Sequence, residues 1–322
     1  MATAGIVDVH GHITPPELFA RLPMPPSLAD IDGMIDAKAA VGIAMTIVGS
    51  PVGVGTMMRV PGFVNEPQTP EVLKGFHDWL ASTVAEHPSS LRAYAYCNPF
   101  LGTRVLEYTA QTVREGGFVG IITNSSVDGE YLDSPKCDEF FAMVDELDVP
   151  VLLHPPAEPV GGDRLADFRL VEALGRFNDV TTGLASLVWG GRLEQYPDLK
   201  VVAGMSGGAV ALVAARLDRM LQPAHWAGPP LENKITQPPS SYLAKVYVDT
   251  TSHNPAVLAA DVALMGAEHV LFGTDFPPAS TPLEAALGVV RGLGLDGAAV
   301  DGVLGGNARA LFKLPESQSS DS

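Results

Sequence analysis

The chain has 322 residues, of which 46% are hydrophobic and 18% are charged, so it is long enough to bury a large core. Its 37 acidic and 20 basic side chains give a formal net charge of -17, which argues against binding to nucleic acid or to an anionic membrane surface. Its two cysteines, Cys97 and Cys137, are too few for a disulfide framework and favour a reducing compartment.

Short apolar strands alternate with longer helical segments along the chain. Strands are predicted at residues 6–9, 43–48, 91–96, 118–122, 150–153, 199–203, 245–248 and 269–272. Helices are predicted at residues 30–41, 70–86, 103–115, 136–147, 164–195, 208–221 and 255–265. Parallel strands need crossovers of this kind, and eight of them close most simply into a barrel. An open doubly wound sheet is the alternative, but no glycine-rich phosphate loop follows an early strand.

The prediction is therefore an α/β fold, a (β/α)8 TIM-type barrel in a single domain over residues 1–315. Residues 316–322 are rich in serine and are expected to form a disordered tail. Neither a secretory leader nor a bilayer-spanning apolar run is evident, so we expect a cytoplasmic protein without a membrane partner.

Histidines and a carboxylate stand where three predicted strands end. His10 and His12 close the first strand, and their spacing places both side chains on the same side of it. His154 ends the fifth strand and Asp275 follows the eighth. The carboxyl ends of all strands meet at one end of a barrel, so these four side chains are expected to bind one divalent metal ion.

Several sequence stretches resemble the amidohydrolase-related family of aminocarboxymuconate semialdehyde decarboxylase. They are VDVHGH at residues 7–12, LHP at 153–155, YPDLKVV at 196–202, LFGTDFP at 271–277 and GGNAR at 305–309. The resemblance implies a distorted barrel with one divalent metal ion, for which zinc is the preferred prediction and manganese is the alternative. It also implies His10, His12, His154 and Asp275 as ligands, a small-molecule substrate and a homodimer.

One position departs from the family pattern. The family places a histidine at the end of the sixth strand, before a pair of glycines, where this chain has Met205. A thioether has no titratable proton, so it cannot act as a general acid or base. Met205 is therefore expected to contact substrate, while Asp275 takes a catalytic role.

Other side chains are candidates for catalysis or for substrate binding. His253 follows the seventh strand on the active face and is the best substitute acid or base, with a solvated loop histidine as the alternative. Arg59, in the long loop at residues 49–66, is a candidate to bind a substrate carboxylate, or else an exposed cation. Asn124 follows the fourth strand and either orients substrate or caps a turn. His77 lies in a predicted helix and is expected to be exposed on the exterior of the protein.

Three functions follow from these residues and from the resemblance. The first is a metal-dependent decarboxylase of a small unsaturated or aromatic acid. The second is a metal-dependent hydrolase or hydratase of an amide, a lactone or an unsaturated acid. The third, suggested by Met205, is a metal-binding relative without catalytic activity.

Overall fold

Eight short strands form one parallel sheet whose spatial order follows the chain. They are β1 (Ile6–Gly11), β2 (Ile43–Val48), β3 (Leu91–Tyr96), β4 (Gly120–Asn124), β5 (Val151–His154), β6 (Val201–Ala203), β7 (Tyr247–Asp249) and β8 (Val270–Leu271). The structure is a computed structural model and describes residues 5–20, 24–50, 64–65, 67–165, 167–221, 233–279 and 281–315. Arg59 and the predicted tail at 316–322 lie outside these residues.

The sheet closes where β8 meets β1. The amide of Val9 donates to the carbonyl of Phe272 at 2.9 Å, and the amide of His12 donates to the carbonyl of Phe276 at 3.1 Å. The β1–β2 pairing contains register shifts, and β8 has only two residues, so the barrel is irregular at this seam. The predicted (β/α)8 barrel, including its distortion, is confirmed.

Helices follow the strands and pack around the barrel, and the last three come after β8. They are α1 (Ile31–Ala40), α2 (Pro70–Glu86), α3 (Thr103–Gly116), α4 (Asp138–Leu147), α5 (Arg176–Trp189), α6 (Arg192–Gln195), α7 (Val210–Met220), α8 (Pro239–Leu243), α9 (Pro255–Met265), α10 (Leu283–Arg291), α11 (Gly297–Asp301) and α12 (Asn307–Leu311). In the described ranges, no helix has both the length and the apolar character needed to cross a bilayer.

The single long helix predicted at residues 164–195 is wrong. Short 3-10 turns and a π-helical turn at Val171–Gly175 precede α5, and Phe168 has a left-handed backbone with φ 58°. Gly191, at φ 79°, separates α5 from α6. A Cβ atom at Gly191 would lie 2.8 Å from the carbonyl of Lys234, so the close approach of two backbones requires glycine there. Hydrophobic periodicity alone does not reveal such breaks.

A buried polar cluster joins α1, β1, β2 and the segment that follows β8. The Lys38 ammonium on α1 lies 2.7 Å from Asp8 on β1, and both side chains are almost fully buried. Lys38 also donates to Thr46 on β2 at 3.2 Å, and the Thr274 hydroxyl donates to Asp8 at 2.5 Å. Separating the partners of such a buried pair would leave an uncompensated charge in the interior, which is strongly destabilising. The cluster therefore fixes the relative position of β1, β2 and the segment after β8.

His77 is buried in the structure, so the expectation that it is exposed on the exterior of the protein is wrong. Its Nδ1 lies 3.0 Å from the Tyr108 hydroxyl, and its Nε2 accepts a hydrogen bond from the Tyr96 amide at 3.0 Å. Burial lowers the pKa of His77 to about 4. The ring is therefore neutral and anchors α2 to β3.

We expect this burial to make the protein less stable in acid. An unfolded histidine has a pKa near 6.5, so below that pH the unfolded chain binds the extra proton and the free energy of unfolding falls until about pH 4. Between about pH 7 and pH 5, His77 alone is expected to cost roughly 2 kcal/mol. Urea unfolding at both pH values should show that the parent protein loses roughly 2 kcal/mol more than His77→Gln. Equal losses in the two proteins would contradict the assignment.

Candidate active site

Three buried imidazoles face one another at the carboxyl ends of the strands. His10 and His12 come from β1, where residues two apart point to the same side, and His154 is the last residue of β5. Their ring centroids are 5.0, 5.4 and 5.1 Å apart. One nitrogen from each ring lies within 4.8 Å of the other two, a spacing that fits ligands of one metal ion.

Neighbouring oxygens fix the orientation of two of these rings. His10 Nδ1 lies 2.6 Å from a carboxylate oxygen of Asp249 on β7, and His12 Nδ1 lies 2.7 Å from the carbonyl of Gly49. Both oxygens accept hydrogen bonds, so each Nδ1 carries a proton, and Nε2 is the ring nitrogen that remains available to bind a metal ion. Among the described residues, His10 Nε2 and His154 Nδ1 have no hydrogen-bond partner although both atoms are buried. Such nitrogens suit a metal ion.

Burial and Asp249 set the charge states of His154 and His10. Burial, together with the charges of His12 and His10, holds the pKa of His154 well below its usual value, so this ring is neutral. Burial also opposes the charged form of His10, but its hydrogen bond with Asp249 and the charge of that carboxylate raise the pKa of His10 overall. A metal ion must therefore compete with a proton at His10, and metal binding should weaken in acid.

Asp275 brings a carboxylate to the same group. Its Oδ1 lies 2.9 Å from His12 Nε2 and 3.8 Å from His10 Nε2. Burial raises the pKa of Asp275, but the hydrogen bond from His12 and the charges of His12 and His10 outweigh burial and lower it, so the group is ionised. The structure thus brings together all four predicted ligands, and three nitrogens with one carboxylate oxygen suit zinc or manganese.

Met205 lies in a tight turn after β6. Met205 and Ser206 both have left-handed backbones, with φ 52° and 55°. The Met205 amide donates to the Thr251 hydroxyl at 2.9 Å, and the Ser206 amide donates to Asp249 at 2.9 Å. Non-glycine residues adopt this conformation only where their surroundings hold them, as functional sites often do. Met205 is partly buried there.

The remaining predicted site residues are His253, Asn124 and Arg59, and the structure describes the first two. His253 follows β7 with a left-handed backbone, φ 46°, and within the described residues its buried Nε2 has no hydrogen-bond partner. Burial lowers the pKa of His253 against the opposing charges of Asp249 and Asp275, so it is neutral at physiological pH. Asn124 is buried at the end of β4, in register with His154 on β5. Arg59 lies outside the described residues.

A cavity of about 340 Å³ opens at this site, and its lining includes a residue that the sequence did not indicate. His12, His154 and Asp275 lie on its wall together with Arg176, the first residue of α5. A cavity of this volume fits a small single-ring molecule. Arg176 stands in no recognisable motif, whereas Asp249, also missed, directly follows the strand predicted at residues 245–248.

Asp249 is expected to control metal affinity through His10. The Asp249 carboxylate holds the His10 ring in its orientation and makes His10 a stronger metal ligand. Asp249→Asn removes this charge, so we expect the metal ion to bind about 10-fold to 100-fold more weakly. Competition with a chromogenic chelator measures this change.

Asp179→Asn is the matched control, because Asp179 is also a buried carboxylate but accepts hydrogen bonds from Ser125, Ser126 and Val160. Its metal affinity should stay at the parent value. An unchanged affinity in Asp249→Asn would refute the role of Asp249.

The chain is similar to known decarboxylases. A sequence model described as amidohydrolase matches residues 7–314. The chain is 28% identical over 233 residues to the 2-amino-3-carboxymuconate-6-semialdehyde decarboxylase of Dictyostelium discoideum, a match that spans 70% of this chain and 63% of that enzyme. It is 29% identical over 275 residues to the gamma-resorcylate decarboxylase of a Polaromonas species, spanning 79% of this chain and 80% of the enzyme.

A crystal structure has the same fold. It is a dihydroxybenzoic acid decarboxylase from a Polaromonas species, with bound manganese and the inhibitor 2-nitroresorcinol. The two chains superpose with a TM-score of 0.77 over 97% of each, at 22% sequence identity.

Proposed function

Because this chain belongs to the amidohydrolase family, we propose that it is a divalent-metal-dependent decarboxylase of a small aromatic or unsaturated carboxylic acid. The observation that carries the proposal is the group of three buried imidazoles and one ionised carboxylate on the wall of a small-molecule cavity. The similar enzymes from Dictyostelium and Polaromonas are both decarboxylases, which favours this reaction over hydrolysis or hydration.

His10, His12, His154 and Asp275 would hold the metal ion. When bound, such an ion acts as a Lewis acid that polarises substrate oxygens and stabilises developing negative charge. The manganese of the Polaromonas structure and the three-histidine group support a divalent metal. We propose zinc, because imidazole nitrogens and a carboxylate oxygen are typical zinc ligands, and manganese is the alternative because the same donors also bind it.

The protein side chains would supply the proton that decarboxylation needs. The bond between the substrate carbon and its carboxylate breaks, carbon dioxide leaves, and the electron pair left on the carbon takes up a proton. Asp275 is ionised, so it must first accept a proton from a substrate hydroxyl or from water before it delivers that proton to the carbon. His253 is the second proton carrier, and Arg59, Asn124 and Met205 are proposed to contact substrate.

Restoring the family's histidine tests the importance of position 205. If Met205 faces the reacting groups, Met205→His adds a titratable imidazole there, and we expect the decarboxylation rate to rise by roughly tenfold or more. The initial rate of carbon dioxide release, measured at equal metal content, gives the result. Met205→Gln is the control, because it adds polarity without a proton carrier. An unchanged or lower rate in Met205→His would show that the site relies on another residue.

The decarboxylase proposal is tested by direct measurement of carbon dioxide. Zinc-loaded and manganese-loaded protein are incubated with gamma-resorcylate, 5-carboxyvanillate and unsubstituted benzoate. Release of carbon dioxide together with the decarboxylated product supports the proposal. No carbon dioxide release from these acids, together with hydrolysis or hydration of an amide, a lactone or an unsaturated acid tested in parallel, would overturn it.

A homodimer and a cytoplasmic location are also proposals, and light scattering of the purified protein tests the first.

A further inference from the structure

Arg176 brings a positive charge to the cavity that holds the candidate metal ligands. Its side chain lines that cavity with His154 and Asp275, and its Nη2 lies 3.4 Å from the carbonyl of Pro155, the residue after His154. Among the described residues that line the cavity, Arg176 is the only lysine or arginine. A guanidinium at this place therefore faces a substrate held near the histidines.

The guanidinium is only weakly engaged by the protein. Its Nη1 donates to Glu172 at 2.9 Å, one turn earlier, and the Glu172 side chain is 63% exposed. Its Nε is buried, and none of the described residues accepts a hydrogen bond from it. Exposed ion pairs of this spacing contribute little to stability, so an incoming anion can replace Glu172. A planar guanidinium binds a carboxylate through two parallel hydrogen bonds, which makes that exchange favourable.

We infer that Arg176 is a specificity-determining residue that binds a second carboxylate of the substrate, so that the preferred substrate is a small aromatic dicarboxylic acid. This inference rests on the proposed function and adds that the carboxylate that leaves lies at the end of the cavity lined by His12, His154 and Asp275. The cavity volume of about 340 Å³ accommodates one ring with two such groups. Glu172 then occupies the position of the second carboxylate while the cavity is empty of substrate.

Calorimetric binding to the zinc-loaded protein tests the inference without turnover. Isophthalate presents two carboxylates on one ring, and benzoate presents one. Arg176→Gln is expected to weaken isophthalate binding by about tenfold or more and benzoate binding by less than about twofold. Glu172→Gln removes the competing carboxylate and is expected to strengthen isophthalate binding. Both variants should keep the parent metal content.

Arg169→Gln is the matched control, because Arg169 is an exposed arginine in the segment that leads to α5 and does not line the cavity. It should bind both acids like the parent protein. Equal weakening of both acids in Arg176→Gln, or the same loss in Arg169→Gln, would overturn the inference.

The two proposals can fail separately. If isophthalate binding depends on Arg176 but no acid releases carbon dioxide, the second-carboxylate site stands and the decarboxylase proposal falls. If carbon dioxide is released from monocarboxylic acids and Arg176→Gln leaves isophthalate binding unchanged, the role of Arg176 falls instead.

Discussion

Replacing His10 and His12 together with alanine is expected to leave the protein folded but without bound metal. The double variant removes two of the four proposed ligands, and those that remain, His154 and Asp275, are too few for a tight site. Elemental analysis after dialysis should give about one metal ion per chain for the parent and less than about a tenth of that for the variant. Carbon dioxide release should fall to background.

The control for this experiment is His87→Ala. His87 caps the end of α2 and lies 3.7 Å from Asp32, away from the strand ends. Its metal content should match that of the parent, and circular dichroism should be the same for all three proteins. Equal metal content in the parent and in the double variant would exclude the proposed site. Absence of metal from the parent, even after incubation with zinc or manganese, would favour a binding protein.

Asp275→Asn is expected to lower kcat by roughly a thousandfold, because general acid and base groups contribute about 10²-fold to 10⁴-fold to rate. Asparagine has the size of aspartate but neither its charge nor its titratable proton. Steady-state carbon dioxide release, measured at saturating zinc, separates this loss from weaker metal binding.

Asp249→Asn distinguishes a loss of metal affinity from a loss of catalytic rate. Asp249 touches His10 but does not line the cavity, so its loss should weaken metal binding and leave kcat close to the parent value once zinc is saturating. Recovery of full kcat by Asp275→Asn under the same conditions would show that Asp275 serves only as a ligand.

Much of the fold could be predicted because buried parallel strands are short apolar runs separated by helices. The boundaries of all eight strands lie within two residues of the predicted ones. The four proposed ligands could also be predicted, because the carboxyl ends of strands in a barrel share one end. His10, His154 and Asp275 are distant in sequence, and only this topological rule places them together.

Contacts that depend on tertiary packing could not be predicted. The break before α5 depends on Phe168 and the π-helical turn, and it determines where Arg176 enters the cavity. The left-handed conformations of Met205, His253 and Asp275 leave no signal in residue types, because none is a glycine. The burial of His77 depends on Tyr96 and Tyr108, which come from other elements.

The seam between β1 and β8 links the site to the folding of the barrel. The Asp275 amide donates to the His10 carbonyl at 2.8 Å, so two proposed ligands also form the closing contact of the barrel. The nearby pair of Asp8 and Thr274 is separated by 266 positions, which makes this closure one of the most costly in chain entropy. A metal ion bound there would act as a cross-link between the first and last strands. It would slow their separation, so the barrel would open more slowly with the ion bound than without it.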